Sequence, residues 1–554
     1  MAGTRLQIVA AFITFTLLVA PLAWHLTQVE RADLPVLRIQ ALSWHASRFG
    51  GPVTFPVAIY SLHADSSISL APSRATTVVY LTHVLELTGD ETKKLDQAIV
   101  AGLQATDDVL YTLRPTPSMR FSLFLLCDED AARAAPVLMV GKYRHAWSFR
   151  CQVEKGDELY AAIEKLMDKH VYPNEGEKRG NQPLDTRMAR IARRYRLQFS
   201  LLKENPVTVW KDSLQTLVEL YMGRFIAKVG AIANFTLETQ VVQYARLAKE
   251  VTPSAHGKSY YIHADELKHA VVGKFKSVND YFDVAMLEEG ERMLRFMAAL
   301  PDSAHSPLYI RSGRGNETDR TQSFEVPGWG LVVILNSDAL LAPSSGTSAA
   351  IASATKEREL QRVMGLFISG FRTFLGVSSF SHRQQEEENA RGATSRRQLV
   401  FLPSIRDGIA DWELDMVMRA RFATLMQSAI ETLQSTVALV EAFPELRVLE
   451  RVQARVEEAV TRLEAILCTT DDHPHDAPTC GKVPDLAPLL VLAREAAELT
   501  DAAYNDHTMI RQLYFPQEKM WGVYAPLLAP LLLPFVLGFV RELRRFKAKR
   551  AAKR

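Results

Sequence analysis

The patterning of the chain predicts an α/β protein: a mixed sheet with helices packed on its faces, then a C-terminal antiparallel helical region, with a transmembrane helix at either end. Three observations carry this expectation. Strand-like and helix-like runs alternate between residues 53 and 376, only helix-like runs follow residue 410, and long uncharged stretches lie near both termini. Alternation of the two periodicities marks a sheet covered by helices.

The α/β part opens with strand-like runs at Val53–Leu62, Thr76–Val84, Met119–Cys127 and Tyr195–Leu202, rich in β-branched, aromatic and alternating apolar residues. Helices are predicted over Gly156–His170 and over Asp212–Ile232, where Asp212 suits an N-cap. A strand at Phe235–Tyr244, a helix at Ala285–Leu300 and strands at Pro307–Arg311 and Trp329–Leu335 come next. The helix predicted over Thr355–Gly376 carries the clearest stripe. Leu360, Val363, Met364, Phe367, Ile368, Phe371, Phe374 and Leu375 recur at three- and four-residue steps. Beyond residue 410, helices are expected at Ala410–Phe443, Glu445–Leu467 and Asp485–Asn505, the second with Leu449, Val452, Val456, Val460, Leu463 and Leu467 on one face. Polar stretches at Ser379–Arg397 and Asn174–Gln182 read as loop excursions.

Met520–Val540 is free of Asp, Glu, Lys and Arg over 21 residues, with Trp521 and Tyr524 at one end and a basic cluster at the other. That length spans about 30 Å as a helix. Leu6–Val29 is a second uncharged run, of 24 residues. A cleaved signal peptide is the competing reading, but the run exceeds the usual apolar length of about 7–15 residues and no clean small-x-small site follows. The formal net charge is +2, yet residues 541–554 hold eight basic groups against one acid. Removing them from 65 Lys+Arg and 63 Asp+Glu leaves 57 against 62, a body of charge −5, which disfavours a nucleic-acid-binding role. The basic tail places both termini in the cytosol by the positive-inside rule. The expected organisation is a cytosolic start and first transmembrane helix (1–29), an α/β domain across the membrane (30–409), a helical region (410–519), a second transmembrane helix (520–540) and a basic cytosolic tail (541–554).

That compartment suits the sequons Asn234-Phe235-Thr236 and Asn316-Glu317-Thr318 as glycan acceptors. It also suits disulfides among the four cysteines. Cys468 and Cys480 could close a 13-residue loop, stay free, or bind zinc with His473 and His475, though that spacing matches no familiar finger. Cys127 and Cys151 could bridge neighbouring strands.

Catalytic patterns are scarce. There is no His-Glu-x-x-His and no Gly-x-Ser-x-Gly, and His256-Gly257-Lys258-Ser259 lacks the first glycine of a phosphate loop, which is Thr252 here. Asp128-Glu129-Asp130, after an apolar strand, could hold a divalent ion and a sugar nucleotide as in many glycosyltransferases; an acidic loop favouring a helix start is the plainer reading. Pro526, Pro530 and Pro534 share nearly one helix face and free backbone carbonyls there, so this face is expected to pack on a partner helix rather than on lipid.

Ala304-His305-Ser306-Pro307-Leu308-Tyr309-Ile310, Gly328-Trp329-Gly330, Trp412-Glu413-Leu414-Asp415, Leu513-Tyr514-Phe515-Pro516 and the three spaced prolines together resemble the PIG-S family. Gly230–Thr236, Ser259-Tyr260-Tyr261, Val363-Met364 and Leu375-Gly376 add to the resemblance, which is collinear from about Leu201 to Tyr524. The resemblance implies a non-catalytic structural subunit of the glycosylphosphatidylinositol (GPI) transamidase. That complex of the endoplasmic reticulum membrane replaces the C-terminal signal of precursor proteins with a GPI anchor. It further implies a lumenal bulk between two membrane helices, and PIG-K-like catalytic, PIG-T-like, PIG-U-like and GPAA-like partner subunits. No catalytic residue, cofactor or metal is carried over. The alternative is a membrane-anchored lumenal glycosyltransferase using Asp128 and Asp130.

Overall fold

The computed structural model describes residues 32–49, 55–61, 78–114, 121–126, 136–150, 158–171, 192, 194–205, 214–245, 251–254, 259–263, 291–311, 321–326, 329–336, 348–377, 399–443, 446, 448–470 and 486–509, with isolated positions at 14 and between 526 and 548. They fall into two compact units, residues 50–423 with 483–490, and residues 1–49, 424–482 and 491–554.

The first unit is mixed α/β. Strands β1 (Phe55–Ser61), β2 (Val78–Val84), β3 (Ser122–Leu125), β4 (Leu138–Val140) and β5 (His145–Ser148) join β14 (Leu399–Phe401) in a six-stranded sheet of order β14-β4-β5-β3-β1-β2. Only the β4–β5 pair is antiparallel. Period-2 alternation gives this sheet two apolar faces. Val57, Ile59, Leu123, Leu125, Val140 and Ala146 pack with Leu159, Ala162, Ile163 and Leu166 of helix α4 (Glu158–Leu166). Ala58, Tyr60, Phe124, Met139 and Trp147 pack with Leu95 and Leu110, from helices α2 (Gly89–Ala101) and α3 (Leu103–Thr112). Helix α4 runs into a π-helical turn, Met167–Val171, and the Val171 carbonyl accepts from Arg419 Nη1 at 2.6 Å.

The second sheet comprises β6 (Arg194–Lys203), β7 (Asn234–Gln243), β10 (Glu291–Leu300), β12 (Ser323–Val326) and β13 (Gly330–Ile334), in the order β12-β13-β10-β6-β7. Helices α5 (Leu214–Val229) and α6 (Ser348–Phe374) serve one face. There Phe199 stacks on Phe296 at 5.1 Å, and Phe367, Phe371 and Phe374 meet Phe296 edge-on. The predicted stripe of α6 is therefore its core face: all its members except the partly covered Ile368 are buried. On the opposite face, Leu202, Met297, Ala299, Val332 and Ile334 meet Ile262, Leu308 and Ile310 of a three-stranded sheet. Its order is β11 (Leu308–Arg311), β9 (Tyr260–His263), β8 (Thr252–Pro253).

One expected element is corrected. The segment predicted as a helix over Ala285–Leu300 supplies β10, a central strand flanked by β6 and β13 along parallel registers. Its Met, Leu and Ala residues favour helix in isolation, but both faces of the strand are covered, and burial decides. The strands β4, β5, β12 and β14 and the helices α2 and α3 lie outside the runs predicted from sequence.

The second unit is helical. Helix α1 (Val36–Phe49), itself unpredicted, accompanies α8 (Glu450–Thr470) and α9 (Leu486–Tyr504), and the helix α7 (Asp411–Ala442) belongs to this unit from Thr424 onward. Val452, Val456, Ala459, Val460, Leu463 and Ile466 line the buried side of α8; Ala493, Ala496, Ala497 and Ala503 line that of α9. Polar ties complete it. Arg38 Nη2 meets Glu464 Oε2 at 2.6 Å, Arg462 pairs with Glu495, and Arg451 grips Asp506 through two bonds of 3.0 and 2.8 Å.

Candidate functional site

The family-like blocks at 304–310, 328–330 and 412–415 lie in the first unit, and the start of α7 shows why those residue types are needed. Trp412 Nε1 donates to the Gly141 carbonyl at 3.0 Å, reaching the turn between β4 and β5. Asp415 takes a two-bond grip from Arg144 of the same turn, at 2.5 and 2.9 Å. Glu413 faces the other way: its carboxylate accepts from Arg372 of α6 at 2.8 and 2.9 Å. The same carboxylate accepts the Ala410 backbone N–H at 2.9 Å, closing the helix start as an acidic third residue does in a capping box. Three residues within four positions thus join the six-stranded sheet to the helix layer of the five-stranded sheet.

Beneath the β4–β5 turn lies a buried pair. His145 Nε2 stands 2.9 Å from Asp107 Oδ1, both side chains fully inside. The Lys142 backbone N–H donates to Asp107 Oδ2 at 3.3 Å. A Cβ on Gly141 would sit 2.0 Å from Asp107 Oδ1, so only glycine lets the turn close over the carboxylate. At the surface, Lys142 Nζ meets Asp108 Oδ1 at 2.5 Å, and Tyr143 donates its hydroxyl to the same carboxylate at 3.0 Å. Burial, then the Asp108 bond, pushes the Tyr143 phenol well above its ordinary value.

The segment 403–410 between β14 and α7 is pinned from several sides. Arg372 Nη1 donates to the Gly408 carbonyl at 2.7 Å, Lys228 Nζ to the Ile409 carbonyl at 3.0 Å, and the Gly408 N–H to the Ser404 carbonyl at 2.8 Å. Gly408 has φ +72°, and a Cβ there would press on Ile368 and Phe225. A cleft of about 460 Å³ opens beside this loop, lined by α3, the β4–β5 turn, α5 and the loop itself.

The other blocks build the second sheet and its cover. His305 Nδ1 lies 3.0 Å from Glu204 Oε1, and the Asn336 side chain both donates to and accepts from Leu308 backbone groups, at 2.6 and 2.8 Å. In Gly328-Trp329-Gly330, a Cβ on Gly330 would fall 2.0 Å from the Arg295 carbonyl oxygen, so close strand approach demands the glycine. Trp329 lies 5.5 Å from the Arg295 guanidinium, centroid to carbon.

Of the residues singled out from sequence, Asn234 is exposed at the start of the edge strand β7, with the Thr236 hydroxyl 3.5 Å from the Tyr195 carbonyl. Pro526 and Pro530 are helical and exposed. Cys468 lies in the last turn of α8, its side chain outside the described residues. Asn316, Cys127, Cys151, Cys480, Asp128, Asp130, Pro534, Leu513–Pro516 and the 379–397 excursion also lie outside them, as do all of the first predicted span but Thr14 and 13 of the 21 residues of the second. Among the described residues no helix is long and apolar enough to cross a membrane, and no group of three or more His, Cys, Asp or Glu could hold a metal ion. Sequence reading overlooked Asp107, Arg144 and Arg372. Asp415 and Arg144 are 271 residues apart, and no local signal links them.

A family model described as phosphatidylinositol-glycan biosynthesis class S protein (PIG-S) matches residues 10–549. The chain belongs to the PIG-S family. Curated relatives of this PIG-S chain include the GPI-anchor transamidase component PIGS of Homo sapiens, 26% identical over 335 residues, covering 60% of this chain and 54% of that protein. The GPI transamidase component GPI17 of Saccharomyces cerevisiae is 25% identical over 333 residues, covering 58% and 52%. The GPI transamidase component PIG-S homolog of Schizosaccharomyces pombe is 22% identical over 368 residues, covering 65% and 55%. The chain thus spans about half the length of the curated relatives it matches.

Proposed function

We propose that this PIG-S chain is a non-catalytic structural and assembly subunit of a GPI transamidase complex, which exchanges the C-terminal signal of precursor proteins for a GPI anchor at the endoplasmic reticulum membrane. The observation that carries the reading is the family match along residues 10–549, joined to relatives named as components of that complex. The fold supports it. The family-like blocks at 304–310, 328–330 and 412–415 go into joints between structural layers.

In this reading Leu6–Val29 and Met520–Val540 are the two membrane helices, both termini are cytosolic and residues 30–519 are lumenal, divided near residue 410. Asn234 and Asn316 carry glycans, and the lumenal cysteines Cys127, Cys151, Cys468 and Cys480 are available for disulfides. The face of Pro526, Pro530 and Pro534 packs on a helix of the assembly, because carbonyls freed by proline are costly against lipid. PIG-K-, PIG-T-, PIG-U- and GPAA-like subunits are the partners.

Affinity purification of the tagged full chain in a gentle detergent tests the proposal. The expected result is co-purification of four sister subunits with transamidase activity, and weakened recovery once all three prolines are replaced by leucine. A chain that purifies alone and transfers sugar in the presence of manganese would overturn it.

A further inference from the structure

The cleft beside the 403–410 loop carries charge that no described residue pairs. Asp108, Arg224, Ser404, Arg406 and Asp407 line it, and its volume of about 460 Å³ falls within the usual range for small-molecule sites. Its two acids are already engaged. Asp108 is held by Lys142 at 2.5 Å and by the Tyr143 hydroxyl, and Asp407 lies 3.4 Å from Lys228 Nζ. Lys228 in turn reaches Asp411 at 2.7 Å. Arg224 and Arg406 are left over: both are exposed, both line the cleft, and neither has an ion-pair partner among the described residues. The wall that presents Arg406 is held by the Arg372–Gly408 and Lys228–Ile409 bonds, so the cationic side is formed before any ligand arrives.

We infer that this cleft binds a phosphate ester, its phosphoryl oxygens taken by the Arg224 and Arg406 guanidinium groups. Guanidinium forks match phosphate oxygens in pairs. Two such forks, with the Ser404 hydroxyl and the Gln104 amide beside them, offer more donors than the two oxygens of one carboxylate can use. A cleft of this size also exceeds a bare inorganic ion, so room remains for the esterified group, with Pro403, Ile405 and Tyr143 among the lining residues. The inference concerns this chain alone and stands apart from its membership of a complex.

Calorimetric titration of the full chain in detergent tests it, with glycerol 3-phosphate, inorganic phosphate, sodium acetate and bicelles containing phosphatidylinositol as probes. Saturable binding of glycerol 3-phosphate, weakened at least tenfold by Arg224→Gln with Arg406→Gln, supports the site with a soluble ester as ligand. Binding of the bicelles alone, with the same dependence on both arginines, supports it with a lipid headgroup as source. Should the double variant not fold, the single Arg406→Gln variant at the exposed loop decides, with a loss of about threefold or more expected. No saturable binding of any phosphate probe, equal binding of acetate, binding of inorganic phosphate alone, or unchanged affinity in the variants would overturn the inference.

Discussion

Arg372 and Glu413 meet through two bonds of 2.8 and 2.9 Å, and the Glu413 carboxylate also accepts the Ala410 backbone N–H. One acid therefore starts helix α7 and ties it to α6. Both side chains are largely withdrawn from water, 11% and 5% exposed, so neither tolerates loss of the other. Glu413→Ala is expected to cost about 3–5 kcal/mol, the range for stranding one member of a buried pair. Replacing both residues together by Met and Leu is expected to cost far less. Urea unfolding of the two variants checks this, and equal losses would mean that the pair is not the source of the effect.

Asp506 supplies a pH-dependent term in the helical unit. Burial alone would raise its carboxyl, but hydrogen bonds from Arg451 and from the Thr508 backbone and hydroxyl, with the Arg451 charge, hold it well below the usual carboxylate range. A depressed folded-state value means that this contribution is complete above the ordinary carboxylate value of about 4 and is lost as pH falls below it. Asp506→Asn is expected to destabilise near pH 7 by about 1–3 kcal/mol, as for hydrogen bonds to charged groups. The gap to the parent chain shrinks toward about pH 3. Melting temperatures at the two pH values provide the measurement, and an equal gap at both would contradict it.

Two glycines predict opposite signs. A Cβ on Gly330 falls 2.0 Å from a backbone oxygen of the neighbouring strand, so Gly330→Ala must push β13 away from β10 and is expected to abolish a cooperative transition. Gly223 sits within α5 with nothing within 4 Å of its added Cβ. Gly223→Ala is expected to stabilise by about 0.5–1 kcal/mol through helix propensity. Thermal melts of both variants give the comparison; a destabilised Gly223→Ala would contradict the open space at this site.

Asn234 opens the edge strand β7 with its side chain in the open, and its sequon Thr236 is exposed as well. A glycan attached there would also shield the start of a long edge from pairing with other strands. Asn234→Gln is expected to shorten the glycosidase-sensitive mobility shift by one glycan and to leave folding intact. An unchanged shift would remove Asn234 as an acceptor.

Local pattern was legible where one face decides the structure. The stripe of α6 and the face of α8 run at helical spacing, and the structure buries them except for the half-buried Ile368, Leu449 and Leu467. Legibility failed where both faces are covered. In β10, Glu291–Leu300, residues that favour helix are held extended by strands on either side. It failed again for short strands such as Leu138–Val140, where three residues carry no period at all.

The amino-acid order alone determined the uncharged stretches near the termini, the basic tail and the blocks by which the chain belongs to PIG-S, because composition and short-range spacing survive without coordinates. Only the tertiary structure decided what Trp412, Glu413 and Asp415 hold, and that Arg224 and Arg406 line one cleft with no ion-pair partner among the described residues. The physical reason is distance along the chain. Side chains 41 and 271 residues apart become partners solely through the packing of the layers that carry them.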